Sequence, residues 1–164
     1  MVGHYADKSA EHEMIINALA NEVDIYFHLP ISYGNLEYAD YLVDKYANDL
    51  NRVKVYRDFM DSVNYYKMLD SMDIAIFPYK RQQACGNIIQ LLGRGVTVYL
   101  NSNVTTWKWL VKLGIHIKDV QEIFEGKISL LSLEEQKENI EIISQYATKE
   151  NLEKQWAEVL LTNR

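Results

Sequence analysis

The sequence predicts an α/β domain, a doubly wound parallel sheet with helices on both faces. Short apolar runs rich in β-branched and aromatic residues alternate along the chain with segments of helical periodicity. Residues 73–101 show this best, because DIAIFPYKRQQACGNIIQLLGRGVTVYLN predicts strand, loop, helix and strand. A β-α unit that repeats in this way forms a parallel sheet covered by its crossover helices.

The predicted elements follow in a regular order. Residues 2–7, VGHYAD, indicate the end of a first strand and a turn. Further strands are predicted at 23–29, 52–56, 73–77, 96–100 and 115–117, with helices between them at 8–21, 36–50, 60–72, 82–92 and 105–113. Pro30 and Pro78 are expected to end their strands because proline cannot donate to a ladder.

Helix caps and a change of pattern complete the prediction. Asn35 or Gly34 is expected to cap the helix at 36–50, and Asp61 or Ser62 the helix at 60–72. After Asp119 we expect only helices, at 120–124, 133–147 and 150–162.

Two sequence features bear on these carboxy-terminal helices. Ser132, followed three residues later by Glu135, predicts a capping box at the start of the second. In that helix, Asn139 is expected to face water, while Ile140 and Ile143 face the domain. The predicted organisation is a domain at 1–125 and carboxy-terminal helices at 126–164 that pack on it.

Composition excludes several classes of protein. A chain of 164 residues is long enough for one domain with a core, and its net charge of -6 argues against a nucleic-acid partner. The single cysteine, Cys85, excludes an internal disulfide and fits a reducing compartment. Neither an 18-residue apolar run nor an apolar leader is present, so we expect a cytoplasmic protein. No P-loop, HExxH, GxSxG or Cys/His cluster is found, so neither a metal nor a cofactor is predicted.

The loop YKRQQACGN, residues 79–87, is the main candidate site. Helix amides that open at the carboxyl end of a parallel strand bind anions, and Lys80 and Arg81 make phosphate the natural ligand. Gly86 lacks a Cβ and would let a diphosphate approach the backbone amides around Asn87. The alternatives are a solvated pair of cations and a glycine merely tolerated in a helical turn.

Six further positions complete the set that the residues suggest. Gln82 and Gln83 either cap the helix or hold ligand hydroxyls. Three residues after the second strand lie on the edge where doubly wound sheets bind ligands, although they also suit an ordinary turn: Ser32, Tyr33 and Gly34. Asn101, at the end of the fifth strand, either reaches the ligand or forms a turn.

Several segments, in their order along the chain, carry a family resemblance. They are VGHYAD, LPISYGN, Y...FM, DIAIF..KRQQACGNIIQLL, VYLN and W..L..LGI, and RQQACGN at 81–87 is the most specific. Over about residues 2–125 the chain resembles the carboxy-terminal domain of the bacterial 4-alpha-L-fucosyltransferase family. Its members resemble the enzyme that transfers 4-acetamido-4,6-dideoxygalactose from a dTDP-sugar to a lipid-linked acceptor in enterobacterial common antigen synthesis.

The resemblance implies a function. The family has the GT-B fold of two Rossmann-like domains, in which the second binds the nucleotide-sugar donor and generally needs no metal. This chain would be one such half-domain, a fragment that binds donor but does not transfer sugar alone. The acceptor, lipid-linked or another glycan, would be held by an amino-terminal domain, and the whole protein could associate peripherally with the inner face of the bacterial inner membrane.

The resemblance also adds three site residues. His4 is in the first loop, which touches the phosphates in GT-B enzymes, although a lone histidine is more often structural. Phe59 and Met60 follow the third strand, near the nucleotide base in such proteins, although core packing is the slightly favoured explanation. No catalytic base is identified. The alternative function is a flavodoxin-like nucleotide-binding or signalling module without catalysis.

Overall fold

The computed structural model describes residues 1–162, in which five short strands alternate with the first six of eight α-helices. The strands are β1 Phe27–Pro30, β2 Val53–Tyr56, β3 Ile74–Phe77, β4 Thr97–Leu100 and β5 Lys118–Asp119. The helices are α1 His12–Ala18, α2 Leu36–Tyr46, α3 Ser62–Asp70, α4 Cys85–Leu92, α5 Thr105–Lys112, α6 Val120–Phe124, α7 Leu133–Tyr146 and α8 Lys149–Thr162. All strand pairs are parallel, which confirms the predicted fold class.

Residues 1–3, called here the amino-terminal segment, join the two halves of the sheet. On one side the Val2 amide donates to the carbonyl of His28 in β1 at 3.0 Å. On the other side the Gly3 amide donates to the carbonyl of Ile76 in β3 at 2.9 Å. The spatial order is therefore β2, β1, amino-terminal segment, β3, β4, β5. This is the order of a doubly wound sheet, and the direction of winding reverses between the amino-terminal segment and β3.

Alternating side chains of the strands pack into two hydrophobic cores, one on each face of the sheet. Ile76 and Tyr99 belong to the core that includes Ile15 of α1 and Leu42 of α2. The opposite core contains Ala75, Phe77, Val98 and Leu100 of the strands, with Leu69 of α3 and Leu91 of α4. All four residues of β4 are buried, as expected for a central parallel strand covered on both faces.

The predicted helix caps are confirmed. The amide of Tyr38 donates to the side chain of Asn35 at 2.8 Å, and the amide of Asn64 donates to Asp61 at 2.9 Å. Ser132 and Glu135 form the reciprocal capping box at the start of α7. Each cap satisfies helix donors that have no partner within the helix.

The last strand and the inward face of α7 correct the sequence prediction. The strand expected at 115–117 is instead β5, Lys118–Asp119. Asn139 is completely buried rather than facing water: its side chain accepts from the His116 amide and donates to the His116 carbonyl, both at 2.8 Å. These two bonds occupy the backbone groups that a strand at 116 would use for its ladder. Ile140 is 39% exposed, whereas Ile143 is buried as predicted.

The helix predicted at 8–21 is also interrupted. A 3-10 turn covers Lys8–Ala10, Glu11 takes the left-handed conformation with φ of 48°, and α1 begins only at His12. Asp7 caps the 3-10 turn by accepting from the Ser9 amide at 2.8 Å. The chain thus turns tightly after the amino-terminal segment before α1 starts.

Acid should destabilise this fold through its buried histidines. Burial lowers the pKa of His12 to about 4, mainly because a charged ring would lose its solvation, and His4 and His28 are shifted to about 4 for the same main reason. In the unfolded chain such a ring titrates near 6.5. Between these pH values the unfolded state binds more protons, so the free energy of unfolding falls as the pH drops from about 6.5 to about 4. His12 alone then accounts for about 3 kcal/mol.

Urea unfolding at several pH values in this window checks that expectation. In the variant His12→Gln, the slope of the free energy of unfolding against pH should correspond to about one proton fewer, because only His4 and His28 then contribute. An unchanged slope in the variant would show that His12 is not neutral in the folded state.

Candidate functional site

The candidate site lies at the carboxyl edge of the sheet, where the winding reverses. The loop after the amino-terminal segment, residues 4–7, runs beside the loop after β3, residues 78–84. The phenol oxygen of Tyr79 lies 2.9 Å from His4 Nδ1 and 3.2 Å from the His4 backbone nitrogen. Tyr5 and Gln83 make a second link between the loops at 3.1 Å. Ligands of doubly wound sheets bind in the crevice at this position.

The first turn of α4 opens into the crevice without a cap. Ala84, the residue before the helix, has φ of 60°, a left-handed conformation that costs a non-glycine residue about 1–2 kcal/mol. No side chain caps this helix, so the first-turn amides of Cys85, Gly86 and Asn87 keep the positive end of the helix dipole uncovered. A Cβ placed on Gly86 would meet no heavy atom within 4 Å outside the first turn itself. No other part of the chain therefore covers this turn at Gly86.

Two adjoining cavities occupy the crevice. The first, of about 530 Å³, is called the amide cavity because Ala84, Cys85, Gly86 and Asn87 line it. The second, of about 300 Å³, is called the aromatic cavity and is lined by Tyr33, Phe59, Met60 and Tyr65 among others. His4, Ser62, Tyr65 and Asn87 border both. A long ligand with a polar and an apolar end would fit across the pair.

Seven of the predicted site residues come together in these cavities. They are His4, Ser32, Tyr33, Phe59, Met60, Gly86 and Asn87. Phe59 is 87% exposed, so its ring is available to a ligand and does not belong to the core. The segments that carry these residues are distant in sequence, and the order of the strands brings them to one edge of the sheet.

The predicted cations lie outside the two cavities. Lys80 is exposed, and its Nζ lies 3.9 Å from Glu11 Oε1. Arg81 is also exposed. When the Gln83 amide is oriented so that its hydrogen bonds are satisfied, its side-chain oxygen accepts from Arg81 Nη2 at 2.9 Å. The pKa of the Asp7 carboxyl is lowered, mainly by the hydrogen bond from Ser9 and to a smaller extent by Arg81. The two cations thus lie on the exposed surface of the loop.

The remaining predicted residues have structural partners. Gln82 lines a separate cavity with Cys85 and Thr105, and Thr105 Oγ1 donates to its side-chain oxygen at 3.4 Å. Asn101 forms a turn by accepting from the Asn103 amide at 3.0 Å. Gly34 pairs with Ala6 in an isolated bridge at φ of 108°, and a Cβ there would lie 2.4 Å from the Ala6 carbonyl oxygen.

Two tyrosines of the crevice, Tyr5 and Tyr65, were not predicted from the sequence. Burial raises the pKa of Tyr65 to about 12, so its hydroxyl keeps its proton and donates to Asn87 Oδ1 at 2.9 Å. The amide nitrogen of Asn87 then remains free to donate to a ligand. Tyr5 stacks on Tyr33 with ring centroids 5.7 Å apart. Because the twelve tyrosines are scattered along the chain, no local pattern distinguishes these.

The described residues contain neither a metal-binding cluster nor a helix that could span a membrane. Among residues 1–162, no group of three or more His, Cys, Asp or Glu side chains could hold a metal ion. Within the same part of the chain, no helix combines the length and apolar character needed to span a bilayer.

The fold and this crevice define a Rossmann-like α/β domain with an anion-suited helix start at its switch point. The family model described as 4-alpha-L-fucosyltransferase glycosyl transferase group 56 matches residues 1–163, and the chain belongs to this family of glycosyltransferases. The match confirms the family resemblance seen in the sequence and extends it through the carboxy-terminal helices. No curated protein and no solved structure matches the chain.

The close approach at Gly34 yields a prediction about stability. Gly34→Ala should lower the free energy of unfolding by about 1–3 kcal/mol. The alanine would have to adopt a positive φ, and its Cβ would collide with the Ala6 carbonyl oxygen. Chemical denaturation measures the change. A variant as stable as the parent would show that the bridge between Ala6 and Gly34 is easily displaced.

Proposed function

We propose that this chain binds the nucleotide-sugar donor of a glycosyltransferase, with the diphosphate over the first turn of α4 and the base in the aromatic cavity. The observation that carries the proposal is the uncapped start of α4 at the switch point of the sheet. Membership in a glycosyltransferase family supplies the reaction class, the transfer of a sugar. The resemblance supports a dTDP-linked donor of the 4-amino-4,6-dideoxygalactose type and a lipid-linked or glycan acceptor.

Neutral donors suit the diphosphate at this position. The amides of Cys85, Gly86 and Asn87 point along the dipole of α4, and helix starts of this kind bind phosphate groups. The Asn87 side chain adds a further donor, since its oxygen is held by Tyr65. Arg81 is exposed in the loop before α4, and its guanidinium could pair with a phosphate once it leaves Gln83.

The aromatic cavity suits a nucleobase. Tyr33 and Phe59 are both exposed, and their rings, with the side chain of Met60, surround an apolar space next to the amide cavity. Stacking of a planar base on such a ring contributes about 0.5–1.5 kcal/mol beyond the area it buries. The two cavities share His4, Ser62, Tyr65 and Asn87, so a ribose would lie between base and diphosphate along this shared wall.

The proposed contribution to catalysis is stabilisation of the leaving group. When the bond between the sugar's anomeric carbon and the diphosphate oxygen breaks, negative charge grows on the diphosphate. Donors already aimed at that position stabilise the charge without reorganisation. In the GT-B arrangement that the resemblance implies, a second domain holds the acceptor across the cleft. Peripheral contact with a membrane belongs to the same proposal, because the acceptor would be lipid-linked.

Binding of dTDP is the first test. At about 100 times its dissociation constant, dTDP should add about 2.7 kcal/mol to the stability of the chain and raise its melting temperature. UDP should act in the same way, whereas FMN and NAD, the ligands of the flavodoxin-like alternative, should not. A cooperative melt that millimolar dTDP and UDP leave unchanged would refute the proposal, and a shift with FMN alone would favour the alternative.

Gly86→Ala separates binding from folding. A Cβ at this position meets no heavy atom outside its own helical turn, so the variant should be as stable as the parent or up to about 1 kcal/mol more stable. The methyl group would take up space in the amide cavity, which Gly86 lines, and should weaken dTDP binding about tenfold or more in titration calorimetry. Lys127→Ala, which removes an exposed cation paired with Glu125, serves as a control with parental affinity. Parental affinity in Gly86→Ala would place the diphosphate elsewhere.

A further inference from the structure

We infer that His4 presents a protonated Nε2 to the crevice as a neutral hydrogen-bond donor to the ligand, and that Tyr79 is the positioning residue that fixes this tautomer. The inference rests on the proposed function for the identity of the ligand, a nucleoside diphosphate. The tautomer follows from the hydrogen bonds of the protein itself.

The phenol of Tyr79 leaves one consistent arrangement of protons. The backbone N–H of His4 donates to the Tyr79 oxygen at 3.2 Å. The same oxygen lies 2.9 Å from His4 Nδ1. Tyr79 is buried, so its own proton needs an acceptor, and an unpaired buried hydroxyl proton would cost about 1–3 kcal/mol. Tyr79 therefore donates to Nδ1, which must be the unprotonated nitrogen of the ring.

The surroundings of the ring keep it neutral. Four aromatic rings enclose it, with centroid distances of 4.6 Å to Tyr5, 5.4 Å to Tyr79, 6.1 Å to Tyr33 and 6.4 Å to Phe77. Loss of solvent in this enclosure lowers the pKa of His4 to about 4. Burial raises the pKa of Tyr79 well above its usual value, so its hydroxyl proton is retained. A neutral ring with an unprotonated Nδ1 carries its proton on Nε2.

The position of His4 gives this proton a function. His4 borders both the amide cavity and the aromatic cavity, between the first turn of α4 and Tyr33. Its Nε2–H is suited to a phosphate or ribose oxygen at the junction of the cavities. The neutral ring cannot supply a proton at neutral pH as an imidazolium would, so the structure assigns His4 to binding and not to acid catalysis.

Gly3 allows this pairing to form. Its φ is 63°, and a Cβ there would lie 3.2 Å from the Tyr79 hydroxyl oxygen and 2.9 Å from the Cβ of Ala10. The bare backbone at Gly3 thus leaves room for the phenol to reach His4. The charged groups of the two loops are Asp7, Lys80 and Arg81, and Asp7 lies close enough to act on the charge state of Tyr79.

The tautomer is measurable without any ligand. In ¹⁵N-labelled protein, two-bond nitrogen–proton correlations of the His4 ring should show an unprotonated Nδ1 and a protonated Nε2. The pattern should persist from pH 8 to about pH 5, because the ring titrates only near 4. A proton on Nδ1, an equal mixture of tautomers or a charged ring at pH 7 would overturn the inference.

Matched variants test the contact with ligand. The side-chain amide of His4→Gln places a donor close to the position of Nε2, whereas His4→Asn can replace only the Nδ1 acceptor that Tyr79 uses. We expect dTDP to bind His4→Gln nearly as tightly as the parent, and His4→Asn about tenfold more weakly. A purely structural role for His4 would give the opposite order, because Asn keeps the bond to Tyr79.

Tyr79→Phe tests the positioning role. Loss of the phenol should release the ring to a mixture of tautomers and weaken dTDP binding by about three- to tenfold. Thermal melting shows whether this variant folds. If it folds poorly, the ¹⁵N spectrum of the parent still tests the tautomer.

The outcomes separate the two proposals. Equal dTDP affinity in the parent, His4→Asn and Tyr79→Phe would overturn the inference while the proposed function stands. Failure of the parent to bind dTDP would overturn both the inference and the proposed function.

Discussion

The structure depends on the pairing of residues 1–3 between β1 and β3. Val2 bonds to His28 on one side and Gly3 to Ile76 on the other, so these few residues join two small sheets into one. The same pairing sets the direction in which the chain leaves the sheet. It places the loop that begins with His4 beside the loop that follows Phe77, and the crevice between α4 and the aromatic residues forms where they meet. Without this pairing there would be two sheets and no switch point.

The hydrogen-bond donors that the crevice offers to an anion carry no net charge. The first-turn amides of α4, the amide of Asn87 and the imidazole of His4 are dipoles held in place by the backbone, Tyr65 and Tyr79. Burying a cation beside them would cost several kcal/mol of solvation, whereas fixed dipoles avoid that cost. The cationic side chains Lys80 and Arg81 lie outside, in contact with water. Under the proposed function, their charge would assist the approach of a diphosphate, while the dipoles hold it.

The segment after α6 is fastened to the sheet by individual hydrogen bonds. The hydroxyl of Tyr99 donates to the Ser129 carbonyl at 2.8 Å, and the Leu131 amide donates to Thr97 at 3.0 Å. Asn139 of α7 then binds both backbone groups of His116. Polar side chains of β4 and α7 are therefore buried because each has a partner, as buried polar groups require. The hydrophobic pattern of α7 alone could not predict this.

The sequence by itself determined the alternation of strands and helices, the fold class and the cap at Ser132, and it narrowed the caps of α2 and α3 to two neighbouring residues each, of which Asn35 and Asp61 are used. These features depend on periodicity or on contacts between residues two to four positions apart, and such information is local. It also indicated the loop before α4 and seven residues that line the crevice. The tertiary structure alone decided the left-handed turn at Ala84, the burial of Asn139, the contact of Gly34 with Ala6 and the pairing of His4 with Tyr79. His4 and Tyr79 are separated by 75 residues, and only the order of strands in the sheet brings them within hydrogen-bond distance.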